Sequence, residues 1–112
     1  MFFKLDIDIS DEFTIIVYYD NEEISSLSFN WINMKMIQSL FVSLSNDLNK
    51  VCDRTFKSGN RTLRISQTQN VLIFVVHTNE IESSISVPIT YQLPVDYKHI
   101  IDKLECFNTS SN

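Results

Sequence analysis

The chain has 112 residues, of which 44% are hydrophobic and 21% charged, and nine Lys and Arg against fourteen Asp and Glu give a net charge of −5. A chain of this length can build one hydrophobic core, which excludes a separate catalytic domain. Its longest apolar run, residues 71–76, is far shorter than the roughly 20 residues of a membrane-spanning helix, and its first residues lack the layout of a signal peptide. These features predict one domain over residues 1–112, in the cytoplasm and outside membranes.

The first half of the sequence changes from a strand period to a helix period. Three segments have the composition of strands, with a polar turn before the last of them: residues 3–9, 13–19 and 25–29. Apolar residues then recur every three or four positions from Trp31 to Leu48. This spacing predicts a helix of about 20 residues with one apolar face, beginning at Asn30 or Asn33.

The second half has the same order of patterns. Three further segments are predicted to be strands: residues 61–68, 71–78 and 82–89. A shorter helix follows, with Pro94 in its first turn, where a missing N–H group has no cost. Residues 108–112 are predicted to fray from its end.

An internal repeat connects the two halves. At an offset of 58 positions, residues 13–29 align with residues 71–87 without a gap, and seven of these seventeen positions are identical, among them Ile15 with Ile73 and Val17 with Val75. Gly59, the only glycine, lies midway, where a duplicated unit would be joined. The sequence therefore predicts an α+β fold of tandem βββα repeats, 1–57 and 61–107, joined at 58–60. The two repeats would share one pseudo-two-fold core of antiparallel sheet with two helices.

This arrangement resembles the PUR-repeat family (Pur-alpha) and, more loosely, the Whirly family. The segments that carry the resemblance are Phe3-Lys-Leu-Asp-Ile, Phe13-Thr-Ile-Ile-Val and Ser26-Leu-Ser-Phe, which leads into the first helix. The resemblance implies an antiparallel sheet followed by a helix in each repeat, two repeats in an intramolecular pseudo-dimer, and single-stranded nucleic acid held on a basic, aromatic-bearing sheet. Those families have four strands per repeat, whereas three are predicted here, and Asp6 and Asp8 give the first strand an acidic character.

Charge is distributed unevenly along the sequence. Only Lys4 offsets the acidic residues within the first 25 positions, which are Asp6, Asp8, Asp11, Glu12, Asp20, Glu22 and Glu23. This run suits contact with a basic protein surface. It favours a non-enzymatic interaction protein with a protein partner, one that binds and inhibits, for example, a nucleic-acid-handling enzyme, as inhibitors of viral or mobile-element type do.

A basic segment follows near the middle of the chain, comprising Lys50, Arg54, Lys57, Arg61 and Arg64. One interpretation is a solvated helix end and loop. The other is contact with phosphate or an acidic partner. It includes an alternative function, binding of single-stranded DNA or RNA, in which Arg54, Lys57, Arg61 and Arg64 contact phosphates while Tyr18 or Phe74 stacks on bases. A third hypothesis is a homo-oligomeric structural protein, such as a homodimer.

No motif for catalysis, a metal or a cofactor stands out. His77 and His99 have no nucleophile at a motif spacing, and Cys52 and Cys106 form no zinc-binding pattern, which predicts two free and mostly buried thiols. The four carboxylates of Asp6, Asp8, Asp11 and Glu12 are interpreted as a solubilising, edge-protecting row rather than a metal site. The sequence thus predicts a protein that is not an enzyme and needs no cofactor.

Overall fold

The structure, a computed structural model, describes residues 2–46, 48 and 51–110. It is an α+β fold with two antiparallel sheets, which we call the first sheet, in the strand order β1-β2-β3, and the second sheet, in the order β4-β5-β6-β7. The elements in chain order are β1 (Phe3–Asp8), β2 (Phe13–Tyr19), β3 (Glu22–Phe29), α1 (Met34–Asn46), β4 (Cys52–Ser58), β5 (Arg61–Gln67), β6 (Val71–Thr78), β7 (Ile81–Pro88) and α2 (Leu93–Ser110).

The six predicted strands and both predicted helices are present. Each strand with alternating apolar residues turns those residues towards one shared core, as Leu5 and Ile7 do on β1. Helix α1 begins after Asn33, whose side-chain Oδ1 accepts the Lys35 N–H at 2.7 Å, so the second of the two predicted caps is the one used. The helix has 13 residues, fewer than predicted, although its apolar face is the predicted one.

The second half contains a strand that the sequence pattern did not reveal. β4 pairs with β5 over its whole length, so the prediction of three strands in this half is wrong. Only Phe56 supplies a large apolar side chain to β4, and the charged residues Asp53, Arg54 and Lys57 fill three of the other six positions. A charged edge strand lacks the apolar alternation that marks a buried one, although charge at an edge protects a sheet against pairing with other chains.

Residues 58–60, predicted as the junction between repeats, lie at the β4–β5 turn. Ser58 pairs with Arg61 across the turn, and Gly59 has a φ of +60° in open space. Glycine adopts this left-handed conformation without steric cost. The basic residues Arg54 and Lys57 are therefore on a strand and not on a helix end, and Lys50 lies outside the described residues.

The ungapped alignment of the two halves matches core positions to surface positions in one strand. Ile15 and Val17 on β2 point into the core, whereas their sequence matches Ile73 and Val75 on β6 point to the opposite side of the second sheet. The β2–β3 hairpin has a bulge in which Ile24 is the extra residue, because Val17 pairs with Ser25 but Tyr18 pairs with Glu23. The β6–β7 hairpin is continuous, so the two hairpins differ by one residue.

A single core joins both sheets and both helices. Phe41 of α1 is fully buried, and its ring centroid lies 6.5 Å from that of Phe13 on β2, 6.2 Å from that of Phe74 on β6 and 6.0 Å from that of Tyr97 on α2. Each half thus covers apolar surface of the other. Helix α2 continues through residues 108–110, part of the segment predicted to fray, and neither helix is long and apolar enough to cross a membrane, as judged over the described residues.

Candidate functional site

Helix α2 lies along the free edge of β1 and is bonded to it at two places. The Leu5 N–H donates to Oδ2 of the buried Asp96 at 2.9 Å. Two turns further along the helix, the Lys103 Nζ donates to Asp6 Oδ1 at 2.9 Å and to the Ile7 carbonyl oxygen at 3.2 Å. These bonds satisfy polar groups of an edge strand that would otherwise be open to another chain.

The same arrangement leaves a groove between α2 and the face of the first sheet that points away from the core. The groove has a volume of about 860 Å³, within the range of ordinary ligand-binding clefts. Its apolar floor is formed by Ile9, Ile16, Tyr18 and Phe107. We call this site, together with its charged rim, the β1–α2 groove.

The rim of the β1–α2 groove is acidic. Asp6, Asp8 and Asp102 contribute carboxylates, against one Lys103 and the side chain of His99. Lys103 is already bonded to Asp6, whose side chain is only 16% exposed. Exposed Asp8 accepts hydrogen bonds from the Ser10 N–H and hydroxyl, both at 2.9 Å, and these bonds hold the pKa of Asp8 below its usual value. Asp8 and Asp102 therefore leave the groove with a net negative rim.

The acidic residues of the first 25 positions do not form one surface. Asp6 and Asp8 of β1 line the groove, and Asp11 and Glu12 follow them in the β1–β2 turn. The other three, Asp20, Glu22 and Glu23, lie at the β2–β3 turn, at the opposite end. The strands between these ends span about 20 Å. Antiparallel pairing thus divides a continuous acidic run of sequence into two separate groups.

The basic residues are likewise distributed over two faces of the second sheet. Arg54 and Arg61 are at positions that face the core side, at the margins of the sheet, while Lys57 and Arg64 point to the other side. Arg64 donates two hydrogen bonds to Asp53, at 2.6 and 3.1 Å, which lower the pKa of that carboxyl. Arg61 lines a small pocket that Glu12 of the first sheet also lines.

The two aromatic residues predicted to stack on bases differ in position. Tyr18 is half-buried on the floor of the β1–α2 groove. Phe74 is 1% exposed and lies in the core against Phe41, so it is not on any surface that a base could reach. The structure therefore does not bring Tyr18, Phe74 and the basic residues together.

The α2 side of the groove was not foreseen from the sequence. Asp102, Lys103 and Phe107 belong to it, and no local motif marks them. The only sequence feature that could have predicted this side of the groove is the helix period, which places positions 99, 103 and 106 on one face of α2. That face differs from the apolar face containing Ile100 and Leu104, but the sequence alone does not show which strand it meets.

Both cysteines belong to the described part of the chain. Cys52 is half-buried and Cys106 is exposed, and both are free, so the prediction that both thiols are mostly buried is wrong for Cys106. The residues described contain no cluster of three metal-ligating side chains. In the core, the Tyr97 hydroxyl donates to Gln67 Oε1 at 2.8 Å, and burial raises the pKa of Tyr97 so that this donor remains protonated.

The chain matches no protein-family model, no curated protein and no solved structure.

Proposed function

We propose that this protein is a non-enzymatic interaction module whose β1–α2 groove binds a basic, partly apolar segment of another protein. The observation that carries the proposal is the combination of an apolar floor with an acidic rim in one groove of about 860 Å³. An extended segment with alternating Lys or Arg and apolar residues has the matching chemistry, because its apolar side chains cover Ile16 and Phe107 while its cations face Asp8 and Asp102. Binding there could inhibit a partner that needs the basic segment for its own activity.

Two contacts make the groove suitable for a ligand without a large rearrangement. The bonds from Lys103 to β1 and from Leu5 to Asp96 fix α2 relative to the sheet. The floor residues are also held, since Ile16 is 8% exposed and belongs to a central strand. A preformed site avoids part of the ordering cost of association.

The test uses two short fluorescent peptides, one of alternating Lys and Leu and one of alternating Glu and Leu, with fluorescence anisotropy as the readout. We expect the Lys/Leu peptide to bind and to shift the backbone amide signals of Ile16, Tyr18 and Phe107 in NMR spectra. The variant Asp8→Lys/Asp102→Lys should weaken binding by at least about tenfold.

The matched control is Glu22→Lys/Glu80→Lys, which changes the net charge equally at two exposed positions that do not line the groove. This control should retain most of the affinity. An equal loss of affinity in both variants would show that only net charge matters. Equal affinity for the two peptides would show that the acidic rim does not contribute to binding. Either result would overturn the proposal.

We also propose that the two halves descend from one duplicated unit. In support, β1-β2-β3-α1 and β5-β6-β7-α2 follow the same order. Buried positions of the two halves correspond strand by strand. The offset is 58 residues between β1 and β5 (Leu5 with Leu63) and between β3 and β7 (Leu27 with Ile85), and it is 59 residues between β2 and β6 (Phe13 with Leu72). The bulge at Ile24 accounts for the return from 59 to 58. On this proposal, β4 is an additional strand of the second half.

Single-stranded nucleic acid is the second candidate ligand, because β4 to β7 followed by α2 has the four-strand-plus-helix order that the PUR resemblance implies. Lys57, Arg61 and Arg64 are exposed on these strands. The test is an oligonucleotide titration at several salt concentrations. Each phosphate contact removed by Arg61→Glu or Arg64→Glu should reduce the slope of log affinity against log salt by about 1. No binding at low salt would exclude this candidate.

A further inference from the structure

The second sheet has a face that neither helix covers, and its residues form a regular array. We call it the outer face, the side of β4 to β7 opposite Phe74. One cross-strand row consists of Lys57, Thr62, His77 and Glu82, in strand order. The next row consists of Thr55, Arg64, Val75 and Ser84. The helices pack on the other side, where Phe41 contacts Phe74.

The outer face has apolar residues near its centre and one row that ends in opposite charges, while Asp53, the other charged outward residue of β4, is paired with Arg64. Ile73 and Val75 lie in the middle on β6 and are half-buried only by their neighbours in the sheet. Lys57 is at the β4 edge and Glu82 at the β7 edge of the same row, and both are exposed. Ser and Thr fill five of the other ten outward positions of β4 to β7, and small side chains there favour the spacing of about 10 Å between packed sheets.

We propose that the outer face binds a second copy of this chain, face to face, in a two-fold symmetric dimer. A two-fold axis that runs parallel to the strands between the copies places β4 of one copy over β7 of the other. Lys57 then faces Glu82 of the partner subunit, and the symmetry forms this pair twice. Ile73 and Val75 are covered in the same step. This inference is independent of the proposed function, because the β1–α2 groove lies on the first sheet and stays open in such a dimer.

The observations favour a second copy over nucleic acid as the occupant. On the outer face the carboxylates of Asp53 and Glu82 balance the cations of Lys57 and Arg64, so the face offers phosphates no net positive charge. The described residues that point outward from β4 to β7 include no Phe, Tyr or Trp on which bases could stack. After a two-fold rotation, Lys57 at one end of its row meets Glu82 at the other end of the same row in the second copy. The uniformly negative backbone of a nucleic acid has no such complementarity to the row.

A charge-swap experiment tests the dimer on the full chain, with sedimentation velocity and light scattering across a wide range of protein concentrations. We expect the wild type to show a monomer–dimer equilibrium. Lys57→Glu and Glu82→Lys should each raise the dimer dissociation constant by at least about tenfold, because each converts two opposite-charge contacts into two like-charge contacts. The double variant Lys57→Glu/Glu82→Lys should restore dimerisation.

Lys35→Glu, an exposed position on α1, is the matched control and should leave the equilibrium unchanged. Circular dichroism confirms that each variant is folded, and Val75→Lys offers a second way to disrupt the centre of the face. A wild type that stays monomeric at the highest concentration would overturn the proposal, as would single reversals without effect or a double variant that is not rescued. Oligonucleotide binding that Glu82→Lys strengthens would instead assign the face to nucleic acid.

Discussion

Asp96 shows how one buried carboxylate connects two distant parts of the chain. Asp96 is 2% exposed. Its Oδ2 accepts the backbone N–H of Leu5 at 2.9 Å, and its Oδ1 accepts a hydrogen bond from the side-chain Nε2 of Gln92 at 2.9 Å. The position of Asp96 in the first turn of α2 could be read from the sequence, but its partner could not, because 91 residues separate them. Periodicity reports which side of an element is buried and not which element covers it.

The first prediction concerns the pH dependence that Asp96 contributes. Burial raises the pKa of Asp96 above its ordinary value of 3.8, although hydrogen bonds from Leu5 and Gln92 and the charge of Lys4 oppose this shift. The folded protein therefore binds a proton here at higher pH than the unfolded chain does. The charged carboxylate destabilises the fold at neutral pH, and this penalty is relieved as the pH falls through the raised pKa.

Asp96→Asn keeps an acceptor oxygen but does not titrate. We expect the free energy of unfolding of the wild type, minus that of Asp96→Asn, to increase as the pH is lowered from neutrality towards the ordinary carboxyl pKa. Urea unfolding at several pH values measures this difference. Asp96→Ala should lose about 1–3 kcal/mol, because the Leu5 N–H is left without its buried acceptor. A pH-independent difference between wild type and Asp96→Asn would contradict the assignment.

The second prediction concerns Phe41, whose ring lies within 6.5 Å, centroid to centroid, of aromatic rings on β2, β6 and α2. Phe41→Ala should lower the free energy of unfolding by about 3–5 kcal/mol, because it leaves a cavity at the point where both sheets and both helices meet. Met36→Ala is the control, since Met36 belongs to the same helix but is 47% exposed. Similar losses in the two variants would mean that helix propensity, not core packing, explains the effect.

At the scale of elements, strands with an apolar face could be predicted and the charged edge strand could not. β5 alternates Leu63 and Ile65 with polar residues, so its period was visible in the sequence. β4 has Arg54 at a position that faces the core side, where the period requires an apolar residue. The bulge at Ile24 was equally hidden, because Ser and Glu on both sides of it fit either register.

The third prediction uses the bulge. Deleting Ile24 should convert the β2–β3 hairpin into the continuous pairing already present in β6–β7, with Leu27 and Phe29 still facing the core. We expect the free energy of unfolding to change by less than about 1 kcal/mol. Deleting Ser83 from β7 is the matched control. It should turn Ile85 and Val87 away from the core and cost about 3 kcal/mol or more.

Urea unfolding measures both deletions, and the near-ultraviolet circular dichroism of Trp31 reports whether the packing beside Phe29 is retained. If the deletion of Ile24 proves as damaging as that of Ser83, the extra residue of the bulge is required for the fold.

At the scale of the whole molecule, the two halves depend on each other. A small sheet with one uncovered apolar face is marginal in water, and here the second half supplies Phe74 and Tyr97 to the aromatic cluster of Phe41 in the first. The sequence indicated two similar halves, but it did not indicate that the acidic run would be divided between opposite ends of a sheet. That division follows from antiparallel strand order and is invisible in a linear count of charge.

The fourth prediction follows from this dependence. Fragments 1–50 and 51–112, prepared separately, should each lack a cooperative unfolding transition, because each exposes the core surface that the other covers. Mixing them should restore both the transition and the near-ultraviolet signal of Trp31. Circular dichroism and amide NMR spectra measure the outcome. A fragment that unfolds cooperatively by itself would show that the shared core is not essential.

The contact between α2 and the edge of β1 has a consequence for the protein during its synthesis. Leu5 is synthesised 91 residues before Asp96, whose carboxylate accepts the Leu5 N–H. Until α2 is made, β1 has an open edge that can pair with strands of other nascent chains. The edge of β1 can therefore be closed by this bond only after residues 93–110 have been made.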